Sequence, residues 1–396
     1  MLLDGVTVLD LTRVVAGPAC TRTLSDYGAD VIKIEPPEGD LMRRGVPKVN
    51  GVALGFAQQN AGKSHLCVDL SKPRGQAVVA QLAEQADVIV ENYRPGVAQR
   101  LGLGYEQVKQ SNPRVIYCSI TGYGQDGPAA GRRAYAPVIH AELGLLDLNA
   151  RERGTDPMPE AVSHADFAVG AQAASAILAA LYGRERTGNG QHIDVTMAET
   201  MLMTNEFAAI EINGGFGEEI SPFRPGKAAL LKLKDGSWVQ VPGNPTTWIF
   251  GVSKALGKQN EMAQRGWHKP TDTQGHDAEI RELMQQWAGE YENVEDFEKA
   301  LDSARIPLGT VKPLASVASE DWAEHRGALA RIDVNGQQRL IPRSPARFTD
   351  SEVGPRTGSY LRGAHNRVEL QRRLGLSDTE LDDLEAQGIL LSEPSD

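Results

Sequence analysis

Strand and helix signals alternate along the first third of the sequence. Predicted strands cover residues 6–11, 31–35, 88–91 and 115–120, and predicted helices cover residues 17–27 and 75–85. A chain that repeats strand, helix and strand in this way forms a parallel sheet with helices on both faces, so the sequence predicts an α/β fold. Such sheets bind ligands beyond the carboxyl ends of their strands. The loops of interest therefore follow Leu11, Ile34, Glu91 and Ile120.

The remainder of the chain indicates a second, smaller domain. A glycine- and proline-rich stretch over residues 214–226 is typical of a domain junction. Residues 228–233 and 238–241 form a predicted hairpin, two further strands lie within 330–341, and a short amphipathic helix begins at Ser377. The expected parts are a large domain over 1–215, a smaller α+β domain over 225–325, and a C-terminal segment, 326–396, that returns to the large domain.

Composition restricts the class of protein. A net charge of −11 argues against general binding to nucleic acid or to an anionic membrane. No stretch approaches the ~20 apolar residues of a membrane span, and the N-terminal segment has an acid at Asp4 and no basic region of the kind a secretory signal needs. Cys20, Cys67 and Cys118 are widely spaced, which fits neither a disulfide scaffold nor a zinc site. We therefore expect a cytoplasmic enzyme without a metal.

The clearest predicted helix begins at Asp166 and runs to Leu181, and it is rich in alanine, glycine and serine. Small side chains allow a neighbouring element to approach the helix backbone closely. Asp166 has two interpretations. It could be an N-cap that accepts hydrogen bonds from the first turn, or a nucleophile whose carboxylate the helix dipole keeps ionised and whose reaction nearby N–H groups assist.

Two further features of the N-terminal half point to a ligand without identifying it. The turn over residues 12–18 contains only one glycine, so the G-x-G-x-x-G pattern of dinucleotide-binding proteins is absent. The loop over residues 121–128 is either a plain turn or a segment that lies against a ligand. Basic residues that flank strand ends could together hold an anion: Lys33, Lys63, Lys72, Arg94, Arg100, Arg132 and Arg133.

Several phrases, in order along nearly the whole chain, resemble the type III CoA-transferase family, which includes formyl-CoA transferase and carnitine CoA-transferase. The phrases are VLDLTRVVAGPACTRTLSDYGADVIKIEPPEGD, ENYRPGVAQRLGLGYEQV, NPRVIYCSITGYGQDGP, ADFAVGAQAASAILAALYGRERTGNGQHIDVTM and RLGLSDTELDDLEAQGIL. One phrase alone would carry little weight, but the set in this order is specific.

The resemblance implies an activity and a site. Asp166 matches the family's nucleophile, which attacks an acyl-CoA and passes CoA to a carboxylic acid through aspartyl anhydride and aspartyl-CoA intermediates. CoA is then a substrate, with no permanently bound cofactor. The resemblance also implies a Rossmann-like large domain and a homodimer of two interlocked rings. Tyr135 matches a position at the reaction centre, and the positions that match CoA contacts are Val15, Ala16, Val68, Asn92, Tyr93, Arg100 and Arg133.

The chain departs from the family pattern at three places. Pro36 stands where many members have arginine, and Ala136 follows Tyr135 where others have an acid. The run of glycines that caps the site in formyl-CoA transferase is absent between residues 218 and 243. Two alternatives remain: an α-methylacyl-CoA racemase on the same fold, which needs two acid/base groups and for which His164 is a candidate, and a non-catalytic CoA-binding protein in which Asp166 is only a cap.

Overall fold

The computed structural model describes residues 1–215, 217 and 228–393. The chain forms two compact units, a larger one of Met1–Leu143, Glu160–Thr204 and Ala318–Asp396, and a smaller one of Gly144–Pro159 and Asn205–Val317. Residues 144–159, which the sequence prediction included in the large domain, thus group with the smaller unit, where Arg151 pairs with Glu211 at 2.7 Å. The predicted junction over 214–226 lies almost entirely outside the described residues.

The predicted strands lie close to their predicted positions, and the short strands Lys48–Val49, Val52–Ala53, Ser64–Cys67 and Gly309–Thr310 were not predicted. The strands are β1 (Thr7–Asp10), β2 (Asp30–Glu35), β3 (Lys48–Val49), β4 (Val52–Ala53), β5 (Ser64–Cys67), β6 (Val88–Glu91), β7 (Ile116–Thr121), β8 (Gln191–Thr196), β9 (Ala229–Lys232), β10 (Trp238–Val241), β11 (Gly309–Thr310), β12 (Leu329–Val334) and β13 (Gln337–Pro342). The turn between β12 and β13 holds Asn335 at φ 44° and Gly336 at φ 90°, a conformation that favours asparagine and glycine.

The helices of both units are numbered together in chain order. They are α1 (Ala16–Asp26), α2 (Leu54–Asn60), α3 (Pro73–Glu84), α4 (Val97–Arg100), α5 (Tyr105–Ser111), α6 (Ala136–Glu142), α7 (Leu145–Arg153), α8 (His164–Thr187), α9 (Met197–Thr204), α10 (Ala208–Ile212), α11 (Pro245–Ala255), α12 (Gln259–Gln264), α13 (Asp277–Ala288), α14 (Val294–Leu301), α15 (Asp321–Arg326), α16 (Asn366–Leu374) and α17 (Asp378–Ala386). Ser377 caps α17 as predicted, and its side chain exchanges bonds with Glu380.

A six-stranded parallel sheet forms the centre of the larger unit, in the order β5-β2-β1-β6-β7-β8. Alternate residues of each strand enter opposite cores because side chains alternate across a strand. Val8 and Val90, for example, pack on the α1 and α8 side, whereas Leu9 and Ile89 pack on the side that α3, α16 and α17 cover. The structure confirms the predicted α/β class.

Helix α8 lies directly against α1. At Gly170 an added Cβ would sit 2.7 Å from the carbonyl oxygen of Ala16 and 3.0 Å from Cβ of Ala19, so glycine is what permits this approach. By length and composition alone α8 could span a membrane. Ala173 and Ile177 are nevertheless fully buried in the core of the larger unit, so α8 packs as a core helix of that unit.

The smaller unit has its own core. Its antiparallel sheet has the order β11-β10-β9, and β9 and β10 form the predicted hairpin. Residues of these strands and of α11, α13 and α14 form one apolar cluster, in which Trp287 and Phe297 are almost completely buried. This unit therefore combines a small sheet with helices.

Candidate active site

A cavity of about 650 Å³ opens at the carboxyl edge of the parallel sheet. All four predicted loops contribute to its wall. Its lining residues include Arg13, Val14, Ala16, Glu38, Gly39, Arg44, Asn92, Tyr93, Arg94, Thr121, Gly122, Arg132, Arg133, Tyr135 and Asp166. Its volume is within the range of ligand pockets.

The strand order explains why the cavity forms there. From β1 the chain proceeds to β2 on one side, and β6 then pairs with the other side of β1. The loops after β1 and β6 consequently diverge and leave a crevice between them, which is where open α/β sheets bind ligands. Arg13 of one loop and Asn92 of the other both line the cavity.

Asp166 lies at the cavity wall, in the first turn of α8, and only 8% of its surface is exposed. Burial raises the pKa of its carboxyl group to about 6, and hydrogen bonds from the backbone N–H groups of Ala16 and Ala136 act in the opposite direction. Ala16 is the first residue of α1 and Ala136 is the first residue of α6. The N-termini of three helices therefore meet at this carboxylate, each with N–H groups that have no partner inside their own helix.

One detail of the predicted helix is wrong. The helix begins at His164 with Ser163 at the N-cap, so Asp166 is its third residue and not its cap. The pKa of its carboxyl group is raised because removal from water outweighs the hydrogen bonds to the charged form.

Lys33 and Lys63 do not face a ligand, contrary to the prediction that they belong to an anion-binding patch. Both are essentially unexposed. Nζ of Lys33 lies 3.1 Å from Asp40, and Nζ of Lys63 lies 3.0 Å from Asp10. Lys63 also donates to Thr21 at 2.8 Å. These lysines form a buried network beneath the loop after β1 because two carboxylates at neighbouring strand ends face inward.

The cationic wall of the cavity consists of arginines. Within the described residues, no ion-pair partner lies against Arg44, Arg94 or Arg133, which are exposed. Arg132 pairs with Glu142 and lies over the ring of Tyr123, 4.9 Å from its centroid. Because the chain is acidic overall, three unpaired guanidinium groups at one cavity form a local site for anionic groups such as phosphates.

Arg13, Glu38 and Arg44 also line the cavity, and the sequence analysis did not propose them. Nη1 of Arg13 lies 3.7 Å from Glu38. All three follow the ends of β1 or β2, so their position after a parallel strand was the signal that could have identified them.

The loop after β6 brings two predicted residues to the cavity. Asn92 and Tyr93 both line it. The N–H of Tyr93 donates to Glu91 at 2.8 Å, and burial raises the pKa of Glu91 to about 7. The first part of the glycine-rich loop, Thr121 and Gly122, also lines the cavity. A Cβ at Gly122 would lie 2.3 Å from Cβ of Ala134, so only glycine permits that approach.

The predicted site residues divide into two groups. Those that the structure brings to the cavity are Ala16, Asn92, Tyr93, Arg133, Tyr135 and Asp166. Val15 caps α1 beside Ala16 without lining the cavity. Val68 is fully buried and pairs with Leu390, and Arg100 is exposed at the end of α4. The basic residue Lys72 binds carbonyl groups of the C-terminal segment, Gln387 and Gly388.

The two histidines near Asp166 do not line the cavity. His140 is buried, and its Nε2 accepts the N–H of Ala165 at 3.1 Å. His164 is exposed, with its ring centroid 5.9 Å from that of His140. Across the described ranges, no three histidine, cysteine, aspartate or glutamate side chains are grouped so that they could hold a metal ion.

The sequence and the fold agree with those of known proteins. Residues 3–366 match CoA-transferase family III, so the chain belongs to this family and is an enzyme of the CoA-transferase type. A CaiB/BaiF family protein from Brucella suis has the same fold, with 30% sequence identity and a TM-score of 0.80 over 93% of this chain and 98% of that one.

Similar curated proteins include formyl-CoA:oxalate CoA-transferase of Streptomyces coelicolor, 30% identical over 98% of this chain and 99% of that protein. Succinyl-CoA:glutarate CoA-transferase of Mus musculus is 32% identical over 98% of this chain and 90% of that protein. The β subunit of succinyl-CoA–L-malate CoA-transferase of Chloroflexus aurantiacus is 27% identical over 98% of each chain.

Proposed function

We propose that this protein transfers CoA from an acyl-CoA donor to a small carboxylic or dicarboxylic acid, and that Asp166 is the covalent nucleophile. The observation that carries the proposal is the setting of Asp166. Its carboxylate lines the cavity, is largely removed from water and receives two backbone N–H groups.

This setting suits a carboxylate that must attack a thioester. With a pKa near 6 the group is mostly ionised at neutral pH, yet it lacks the solvation that makes a carboxylate a poor nucleophile in water. No charged side chain among the described residues contributes to the shift of its pKa. The two N–H groups can stabilise negative charge that develops on oxygen during attack.

The first half of the reaction moves CoA onto the protein. An oxygen of Asp166 attacks the thioester carbonyl carbon, the C–S bond breaks, and CoA leaves as a thiolate. The thiolate then attacks the aspartyl carbonyl carbon of the mixed anhydride. The C–O bond to the donor acyl group breaks, which releases the donor acid and leaves an aspartyl-CoA thioester.

The second half reverses these steps with the acceptor. Its carboxylate attacks the aspartyl-CoA thioester, forming a second mixed anhydride and releasing the CoA thiolate. The thiolate attacks the acceptor's carbonyl carbon and frees Asp166. No water, metal or ATP takes part in these reaction steps, so the energy of the thioester is conserved from donor to acceptor.

The cavity supports the choice of substrates. Arg44, Arg94 and Arg133 are exposed at its wall, and CoA carries three phosphoryl groups that such guanidinium groups bind. The names of similar proteins suggest the first candidates to assay: formyl-CoA and succinyl-CoA as donors, with oxalate, malate and glutarate as acceptors.

Racemisation of an acyl-CoA fits the cavity less well. That reaction needs two acid/base groups on opposite faces of the α-carbon. Tyr135 is followed by Ala136, and His140 is buried with Nε2 occupied by a backbone N–H. Asp166 would thus lack a second group for proton exchange.

Mass spectrometry of the trapped enzyme tests the proposal. Protein is mixed with each candidate acyl-CoA, quenched with hydroxylamine and digested. We expect a hydroxamate on the peptide that contains Asp166, and none in the Asp166→Asn variant under the same conditions. The donor that gives the adduct identifies the acyl group.

Three results would contradict the proposal. A hydroxamate on another residue would move the nucleophile elsewhere. No hydroxamate with any donor, together with solvent deuterium entering the α-carbon of an acyl-CoA, would favour the racemase. CoA binding with neither reaction would favour a non-catalytic protein.

The interlocked homodimer and the cytoplasmic location remain part of the proposal. Sedimentation equilibrium tests the dimer directly, because two linked rings cannot separate on dilution. A native mass of twice the chain that persists at nanomolar concentration is expected, whereas a monomer would exclude interlocking.

A further inference from the structure

Side chains that lie near the ends of other strands form hydrogen bonds with successive peptide groups of the loop between β1 and α1. The amide of Asn92 accepts the N–H of Arg13 and donates to the carbonyl of the same residue, both at 2.8 Å. Nζ of Lys33 donates to the carbonyl of Thr12 at 2.8 Å. Each of these bonds fixes the backbone, because the partner atoms belong to the main chain and not to a movable side chain.

Val14, the next residue, has a φ of 70°. A β-branched side chain is strongly disfavoured in this left-handed region. Its N–H donates to the carboxylate of Asp40, with N···O distances of 3.1 and 3.3 Å. The strained residue therefore lies at the centre of a set of hydrogen bonds that can hold it there.

Asp40 is suited to that task. It is fully buried, does not line the cavity, pairs with Lys33 at 3.1 Å and also accepts the N–H of Met42. Its own N–H donates to Glu35. The carboxylate is thus fixed on all sides, and it contacts the loop without contacting the space available to substrate.

The direction of the chain after Val14 decides where α1 begins. Val15 follows as the N-cap with φ −125° and ψ −54°, and Ala16 is the first helical residue. Ala16 and Asp166 line the same cavity, and the carbonyl oxygen of Ala16 lies 2.7 Å from the position of a Cβ at Gly170, one turn after Asp166 on α8. A hydrogen bond from the backbone of Ala16 lowers the pKa of Asp166 against the effect of burial. If Val14 relaxed to a negative φ, the chain would enter α1 from another direction and the N–H of Ala16 would leave the carboxylate.

We propose that Asp40, together with Asn92 and Lys33, holds Val14 in a strained left-handed conformation and so positions the N–H of Ala16 at the Asp166 carboxylate. These three side chains are called the loop clamp here. Asp40 is a positioning residue, which acts on the reaction only through the backbone of the loop. The inference rests on the proposed function for its catalytic meaning, but its test does not require turnover.

The test is a double-mutant cycle between Asp40→Asn and Val14→Gly, and the quantity measured is the pKa of Asp166. Protein labelled with ¹³C at the aspartate carboxyl groups is titrated by NMR, and the Asp166 signal is assigned by its loss in Asp166→Asn. Loss of the N–H of Ala16 removes a bond to the charged form, so the pKa should rise.

The effect of Asp40→Asn on the pKa of Asp166 should depend on whether the residue at position 14 is strained. With valine at position 14, Asp40→Asn lets the loop relax, and the pKa of Asp166 should rise by about one unit. With glycine at position 14 the left-handed conformation carries little cost, so the loop stays in place and the same substitution should move the pKa by less than half as much.

Equal shifts in the two backgrounds, or no shift in either, would overturn the proposal, because a carboxylate needed only for folding would not respond to the residue at position 14. Titratable or charged side chains on α1, α6 and the first turn of α8 include Cys20, Arg22, Asp26, His140, Glu142 and His164. They are the same in all four proteins and cannot produce the coupling.

Asp87→Asn is the matched control. Asp87 also accepts a backbone N–H, from Thr7 at 2.9 Å, and pairs with the buried cation Arg184 at 3.0 Å, but it does so at the opposite edge of the sheet. We expect this variant to lower the melting temperature and leave the pKa of Asp166 unchanged.

Asn92→Ala provides a second route if Asp40→Asn does not fold. It removes another part of the loop clamp, and titration of Asp166 is not affected by any loss of CoA binding. The same dependence on the residue at position 14 is expected, and its absence would overturn the proposal in the same way.

Discussion

Two buried carboxylates near the same edge of the sheet have opposite surroundings. Asp10 is completely buried, and Lys63 and Lys33 hold its pKa well below the ordinary value even though burial acts to raise it. Asp166 is almost as buried, but burial raises its pKa to about 6 and only backbone N–H groups act against that shift.

The difference is the one expected between a structural carboxylate and the proposed nucleophile. A buried carboxylate with a purely structural role is stabilised by positively charged side chains in direct contact with it. The same ion pairs at a nucleophilic carboxylate would lower its reactivity towards a thioester. Dipoles of helix N-termini are a weaker alternative that keeps Asp166 ionised at neutral pH without an ion pair.

The largest expected effect is on turnover in Asp166→Asn. The substitution preserves shape and removes the nucleophilic oxygen, so CoA transfer should fall by at least ~10³-fold. CoA affinity, measured by isothermal titration calorimetry, should change less than about threefold because the arginines of the cavity are intact. Asp10→Asn is the comparison, and in whatever fraction remains folded its transfer should be far less affected. Residual transfer in Asp166→Asn above a few per cent would mean that Asp166 is not the nucleophile.

Folding stability should show the reverse order. Asp10→Asn leaves Lys63 and Lys33 buried without one of their partners, and the free energy of unfolding should fall by about 3–5 kcal/mol. Asp166→Asn should instead raise it at pH 7.5, by up to about 2 kcal/mol, because the raised pKa means that the folded state disfavours the charged form. Urea denaturation of both variants measures this, and equal destabilisation of the two would remove the distinction drawn here.

The sequence predicts those features of the fold and of the candidate site that depend on local pattern. Alternating apolar residues identified the strands, glycine and proline marked their ends, and the topology of parallel sheets indicated which loops meet. The small residues of the helix from Asp166 indicated a close neighbour, which is α1 at Gly170.

What could not be predicted depends on which way a side chain faces. Lys33 and Lys63 have the same local pattern as surface lysines near strand ends, and only the packed sheet brings Asp10 and Asp40 against them. Arg13 was overlooked although it follows the end of β1, because an arginine at that position can face either a cavity or bulk solvent. The left-handed φ of Val14 has no sequence signal at all, because the residue type argues against it.

The pH dependence of adduct formation provides the third prediction. Asp166 must be ionised to attack, so the rate of hydroxamate-trappable adduct formation should be level above pH 7 and fall about tenfold per unit below a pKa near 6. The stability of the folded state changes in the other direction. The folded pKa lies above the unfolded one, so the free energy of unfolding should decline as pH rises from about 4 to 6, and this decline should be missing in Asp166→Asn. A rate limb near pH 4 would show that the carboxyl group is not desolvated during the reaction.

The smallest expected effects concern the cations, which divide in the same way as the carboxylates. Lysines that pair with Asp10 and Asp40 serve the fold, whereas unpaired arginines face the cavity. Arg133→Ala should therefore raise the KM for acyl-CoA by about tenfold with little change in kcat, as expected for the loss of one charged contact with a phosphate.

Arg100→Ala is the informative partner of that variant. The family resemblance assigns Arg100 to CoA, but in the folded chain it is exposed at the end of α4 and does not line the cavity. If the cavity alone defines the CoA site, Arg100→Ala should change the KM for acyl-CoA less than twofold. Both variants should melt at the wild-type temperature because neither arginine has an ion pair among the described residues. A larger effect of Arg100→Ala than of Arg133→Ala would place part of the CoA site outside this cavity. The cations that bind substrate would then have to be sought along α4 as well as at the carboxyl edge of the sheet.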